Sequence, residues 1–145
     1  MITPISFMFT VMRPHPQIKP SQVPSFQGKF KMNGGNPDLK RLWDSGKLPS
    51  VKYGFYGDIL THENCTREHL KPASQGGTKR FGNIVLASKQ KNNARGNDDI
   101  TKYATLDNVR QYLGQFIQLK NEFINGHKYI KEVLDTLQRL GLKFQ

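Results

Sequence analysis

From Asp107 onward, apolar residues recur at Val109, Tyr112, Leu113, Phe116, Ile117, Phe123 and Ile124, the spacing of one helix face. Asp107 is the expected N-cap of this helix and Asn125-Gly126 its expected stop. Ile130, Val133, Leu134, Leu137 and Leu140 then repeat the period as far as Gly141. Residues 105–145 are therefore expected to form a helical hairpin whose apolar stripes pack on each other or on the core, with Tyr112, Phe116 and Phe123 inside.

Upstream the period changes. Ile84-Val-Leu-Ala87 is a short apolar run suited to a strand, and Thr66 to Leu70 reads as its partner, ending before Pro72, which cannot extend a ladder. Ser74-Gln-Gly-Gly77 supplies a turn-forming loop between them. Ser88 is placed to cap a helix from Lys89 to Ala94 that Gly96 ends. Further back, Val51, Tyr53 and Phe55 alternate with Lys52 and Gly54 as on a half-buried strand, and Gly57-Asp58 marks a turn. Asn36 is the expected N-cap of a short helix that opens at Pro37, carries Leu39, Leu42 and Trp43, and stops at Gly46. Residues 13–37 hold Pro14, Pro16, Pro20, Pro24, Gly28, Gly34, Gly35 and Pro37, so an extended arm is expected there. The apolar residues 1–12 read as a strand or packed arm. The expectation is an α+β fold in a single domain over 1–145. It has an arm and short helix over 1–58, a small strand–strand–helix core over 59–100, and the hairpin over 105–145.

Composition changes this picture in one respect. The chain has 22 Lys+Arg against 11 Asp+Glu, a formal net charge of +11, and a pI near 9.9. Such a field draws polyanions, and nucleic acid is the leading candidate partner. Over residues 67–95 the cations are Arg67, Lys71, Lys79, Arg80, Lys89, Lys91 and Arg95, and the only acid is Glu68. That lone acid, among so many cations, calls for a reason. The single cysteine, Cys65, excludes an internal disulfide and any zinc ribbon built from paired cysteines. It reads as a small buried residue, because no activating base can be assigned to it. The N-terminal apolar stretch has neither a basic leader nor a small-residue cleavage site, and no run approaches the roughly eighteen apolar residues of a membrane span. A cytoplasmic or nucleoid protein, neither secreted nor membrane-bound, is expected.

The chemistry-bearing residues lie in Glu68-His69-Leu70-Lys71-Pro72-Ala73-Ser74-Gln75-Gly76-Gly77, followed by Asn83-Ile84-Val85-Leu86 and then Asn92-x-x-Arg95-Gly96. His69 and Asn83 are fourteen positions apart, and Asn83 and Asn92 nine. Over residues 64–97 this pattern resembles the ββα-metal motif of HNH endonucleases, in the variant that ends in asparagine. The separations are similar to those of the nuclease domain in RNA-guided CRISPR effectors. Many members carry histidine where Asn92 stands, and others carry Asp where Glu68 stands.

The resemblance implies a metal-dependent endonuclease, and elementary chemistry gives the same residues tasks. His69, with an ordinary pKa near 6.5, is the expected general base that takes a proton from water. The Glu68 carboxylate and the Asn92 amide oxygen would hold one hard divalent cation, Mg2+ before Mn2+, with Zn2+ or Ni2+ less suited to oxygen donors. Asn83 is expected to orient His69 through a hydrogen bond and to tie down the loop. Arg67, Lys91 and Arg95 are the expected DNA phosphate contacts, with helix-end solvation the plainer role for Arg95. His62 and Glu63 lie just upstream but read as exposed loop residues, and His15 and His127 as surface positions. The expected partner is double-stranded DNA, and cutting both strands calls for a homodimer or a second cleavage event. The alternative is a non-catalytic nucleic-acid-binding or mobile-element accessory protein that retains the motif.

Overall fold

The computed structural model describes residues 38–121 and 124–143. Within them the chain forms a small α+β fold with two two-stranded antiparallel sheets. The N-terminal strand and arm expected over 1–37 lie outside the described residues, as do the predicted Asn36 cap, Pro37 and Phe123.

Helix α1 (Leu39–Asp44) is short, and its cap among the described residues is Asp38, whose side chain accepts from the Arg41 amide. Leu39 and Leu42 bury one side of it, and Gly46, at φ +79°, turns the chain out as predicted. The strand expected at Val51–Phe55 is reduced to one bridge, Tyr53 to Ile59, around the Gly57-Asp58 turn. The reason is a side chain standing in for a neighbouring strand. The Gln115 amide oxygen accepts from the Lys52 and Tyr53 amides, and its nitrogen donates to the Tyr53 carbonyl.

Strands β1 (Cys65–His69) and β2 (Ile84–Ser88) pair antiparallel, from Cys65 opposite Ser88 to His69 opposite Ile84. Alternation puts Cys65, Arg67 and His69 on one face of β1 and Thr66 and Glu68 on the other. Helix α2 (Lys89–Arg95) follows β2 directly, with the Ser88 hydroxyl accepting from the Lys91 amide, the cap expected from sequence. Both α1 and α2 pack on the hairpin. Arg67 reaches toward the start of α1 at Asp38, whereas Thr66 meets α2 at Asn92, so the two helices address opposite faces. The loop joining the strands folds back on itself, with the Gly77 amide donating to the Pro72 carbonyl. A Cβ on Gly77 would stand 1.7 Å from the Lys71 carbonyl oxygen, which is why glycine is needed there.

All five residues of β2 are buried, and its outer edge needs partners. Tyr112 and Tyr129 supply them. The Leu86 amide donates to the Tyr112 hydroxyl, the Tyr129 hydroxyl donates to the Ile84 carbonyl, and the two hydroxyls lie 2.8 Å apart. The Phe55 amide donates to the Leu86 carbonyl and completes the edge. Tyr112 comes from helix α3 (Leu106–Gly114) and Tyr129 from helix α4 (Gly126–Arg139).

The predicted helical hairpin is corrected in detail. The first helix is capped by Thr105, not Asp107, and ends at Gly114 instead of running on to Ile124. Gln115 turns its side chain to the Lys52–Tyr53 backbone, and the Phe116 amide closes a turn on the Leu113 carbonyl. Strands β3 (Lys120–Asn121) and β4 (Ile124–Asn125) then make a minimal pair. Asn125-Gly126, expected to stop a helix, starts one, because the Asn125 side chain accepts from the Lys128 amide and caps α4. A Cβ on Gly126 would sit 1.8 Å from the Phe116 carbonyl oxygen, so this crossing admits only glycine. The core expectation itself stands for Tyr112 and Phe116, both 0% exposed, whereas Ile117 is 42% exposed.

Candidate functional site

The local sequence explains how the site residues come together. The strand–loop–strand segment brings Glu68 and His69 to the end of β1, and the Ser88 cap starts α2 at a point from which it crosses β1. Asn92 and Arg95, three apart on α2, lie on neighbouring turns of one face. The Asn92 amide nitrogen donates to the Thr66 hydroxyl and the Arg67 carbonyl, both at 3.0 Å. Arg95 reaches the Glu68 carboxylate at 3.2 Å. Glu68 shares its face of β1 with Thr66, so the predicted carboxylate and amide are neighbours on one surface.

Glu68 is buried, at 4% exposure. Its Oε2 accepts two bonds, from the Tyr56 hydroxyl at 2.6 Å and from Arg95. Oε1 has no partner among the described residues, and neither does Asn92 Oδ1. Every fully enclosed side-chain oxygen or nitrogen among these residues is hydrogen-bonded, so neither of these two oxygens is fully enclosed. Oxygen donors that are fixed by one partner and open on the other side fit a hard divalent cation. Among the described residues no three His, Cys, Asp or Glu side chains cluster. A carboxylate paired with an amide is a different donor set.

His69 is half-buried at the strand end, and its ring has no hydrogen-bond partner among the described residues. Burial depresses its pKa below the ordinary value; Glu68 opposes the shift, and Lys79 and Arg67 add to it. The neutral ring, the form able to accept a proton, is thereby favoured at neutral pH. No hydrogen bond joins the ring to Asn83, contrary to expectation. Asn83 Oδ1 accepts from the Lys71 amide at 2.8 Å, and its nitrogen donates to the Lys71 and Thr78 carbonyls at 3.1 and 2.7 Å. Both of its N–H groups and its oxygen are engaged in closing the loop, and no hydrogen bond runs from it to the imidazole.

The three expected phosphate contacts divide. Arg95 is corrected outright: it is 2% exposed, and its guanidinium donates to Glu68, to the His69, Leu70 and Asp98 carbonyls, and so cannot meet a phosphate. The helix turns its last residue inward because these four acceptors converge there. Arg67 extends along the other face and engages Asp38 with both arms of its fork, at 3.2 and 2.9 Å. Burial alone would raise the Asp38 pKa, but bonds and charge from Arg67 and Arg41 hold it below the usual carboxylate value. Lys91 is exposed on α2 and its ammonium has no partner among the described residues.

Other candidates resolve simply. Cys65 is buried and burial pushes its thiol up to about 11, as suits a packing residue. His62 is exposed and lies against Trp43, with ring centres 5.4 Å apart. Glu63 and His127 are exposed. No helix among the described residues is long and apolar enough to cross a membrane. Sequence reasoning missed Tyr56, which stands twelve positions before Glu68 and outside the motif. Nothing in its neighbourhood distinguishes it from the core aromatics Phe55 and Tyr112. No family model, curated protein or solved structure matches this chain.

Proposed function

We propose that this protein is a metal-dependent endonuclease of the HNH type, which hydrolyses DNA phosphodiester bonds with His69 as general base. The observation that carries the proposal is the state of consecutive residues at the end of β1. Glu68 offers a fixed carboxylate with one oxygen unpartnered, on the face of β1 it shares with Thr66, the residue Asn92 bonds, and His69 offers an unpartnered, neutral-leaning imidazole.

Glu68 Oε1 and Asn92 Oδ1 would hold a divalent cation, Mg2+ or Mn2+ by donor hardness. When bound, such an ion supplies charge stabilisation for a phosphate oxygen and for the departing 3′-oxygen. His69 takes a proton from water as the water oxygen bonds to phosphorus and the P–O3′ bond breaks. The departing 3′-oxygen collects a proton from solvent, leaving 5′-phosphate and 3′-hydroxyl ends. Asn83 keeps the Lys71–Thr78 loop closed beside the histidine. Exposed cations, Lys91 on α2 and Lys79 and Arg80 in the loop, provide the electrostatic footing for double-stranded DNA.

A second reading has its own support. Glu68 already has a cationic partner in Arg95, so the motif is charge-balanced without a metal, as a non-catalytic nucleic-acid-binding protein would require. Supercoiled plasmid incubated with the protein and Mg2+ or Mn2+, with and without EDTA, separates the two. Cation-dependent nicking or linearisation selects the enzyme, and retardation without strand breakage selects the binder.

A further inference from the structure

We infer that Tyr56 is a positioning residue for the cation site: by pinning Oε2 of Glu68 it presents Oε1 as the oxygen that meets the metal. The inference rests on the nuclease reading above and adds to it a residue from outside the motif.

A carboxylate on a flexible side chain has two equivalent oxygens and rotates freely unless something distinguishes them. Here the distinction is built. The Tyr56 hydroxyl donates to Oε2 at 2.6 Å, and Arg95 donates to the same oxygen at 3.2 Å, so two donors converge on one oxygen and none on the other. A short bond from a hydroxyl to a carboxylate is charge-assisted and stronger than a neutral one. A tyrosine hydroxyl, whose ordinary pKa is about 10, stays protonated and therefore a donor throughout the neutral range.

Tyr56 is itself held. Its ring meets Phe55 edge-on, with centres 5.2 Å apart, and its carbonyl accepts from the Asn108 side chain of α3 at 3.1 Å. The C-terminal half of the chain thus braces the hydroxyl that braces the carboxylate. Partners that orient a ligand from behind typically change metal affinity by about 10- to 100-fold when removed.

The experiment is a Mn2+ titration of the full chain, following free Mn2+ by its paramagnetic resonance signal, with thermal melting in parallel. Wild type, Tyr56→Phe and Glu68→Gln are compared without DNA. Tyr56→Phe keeps the ring and removes only the donor, and a roughly 10- to 100-fold weaker Mn2+ affinity at near wild-type melting is expected. Mn2+ binding that is lost in Glu68→Gln but unchanged in Tyr56→Phe overturns the inference and leaves the nuclease reading intact. Mn2+ binding that is the same in wild type and Glu68→Gln overturns both, because the carboxylate is then not a ligand. Should Tyr56→Phe fail to fold, Asn108→Ala loosens Tyr56 without touching its hydroxyl. A several-fold loss of Mn2+ affinity is expected there, and an unchanged affinity overturns the inference.

Discussion

Two polar clusters sit on the same pair of strands and differ in one respect. Along the outer edge of β2, the hydroxyls of Tyr112 and Tyr129 run from the Leu86 amide to the Ile84 carbonyl as a continuous chain in which each participating group is partnered. At the end of β1, Glu68 is held through one oxygen, and Asn92 reaches over from α2 held through its amide nitrogen, yet a carboxylate oxygen, an amide oxygen and the His69 imidazole are left with no protein partner among the described residues. Closed networks of buried polar groups specify structure. Groups that are braced yet left with spare bonding capacity are what a bound ion, a water and a substrate require. Burial alone would not separate the clusters, since Glu68 is as deeply placed as much of the core.

The sharpest break in the comparison is His69→Ala. Loss of a general base is expected to lower cleavage by about 10²- to 10⁴-fold while melting temperature and DNA retardation stay near wild type. An equal fall in melting temperature would move His69 into the structural cluster. The pH profile gives a second check. The neutral ring is the active form and burial lowers its pKa, so cleavage should rise with pH through a midpoint below about 6.5 and then level off. A cation at Glu68 pushes the midpoint the same way. A midpoint above that value would contradict the assignment.

Arg95→Ala is expected to be the largest stability effect. It removes the cation beside a buried carboxylate and the donor to three carbonyls, a loss of about 3–5 kcal/mol by analogy with broken buried pairs. Denaturant unfolding measures it. A variant that melts normally but binds DNA less well in low salt would restore Arg95 as a phosphate contact and remove it from the braced set.

Tyr112→Phe tests the closed cluster and comes next in size. The ring packing is retained and the Leu86 amide is left unpartnered, at about 1–3 kcal/mol. Metal dependence and pH profile should be unmoved, because nothing in this chain of hydroxyls touches the open atoms at β1.

These assignments also show what the sequence could and could not reveal. The strand–strand–helix unit was legible because its signals are local: a Pro that ends β1, a Gly pair in the loop, a Ser that caps α2. The first C-terminal helix was overextended because its end depends on Gln115, whose amide is drawn to a backbone some sixty positions away. The Val51–Phe55 strand failed for the same reason seen from the other side. Among the site residues, a one-dimensional pattern can align Glu68, His69, Asn83 and Asn92, but it cannot say which way a side chain turns. That is why the pattern points Arg95 at a DNA phosphate when it turns inward, and why of the two tasks it gives Asn83 the loop closure is seen and the bond to His69 is not. Tyr56 was invisible, since its role exists only after the chain has folded.

Lys91→Ala carries the smallest expected effect and defines the outer limit of the open cluster. Lys91 is exposed, one position before Asn92, and its ammonium has no partner among the described residues, so its removal should not alter melting. If it faces a phosphate of bound DNA, the slope of log affinity against log salt falls by about one unit, because one fewer counterion is released. The affinity loss is then a few-fold at low salt and vanishes as salt rises, while cleavage at saturating DNA is unchanged. A loss that persists at high salt would mean that Lys91 acts on the chemistry itself, and the boundary between binding surface and reacting atoms would have to be redrawn one residue closer to solvent.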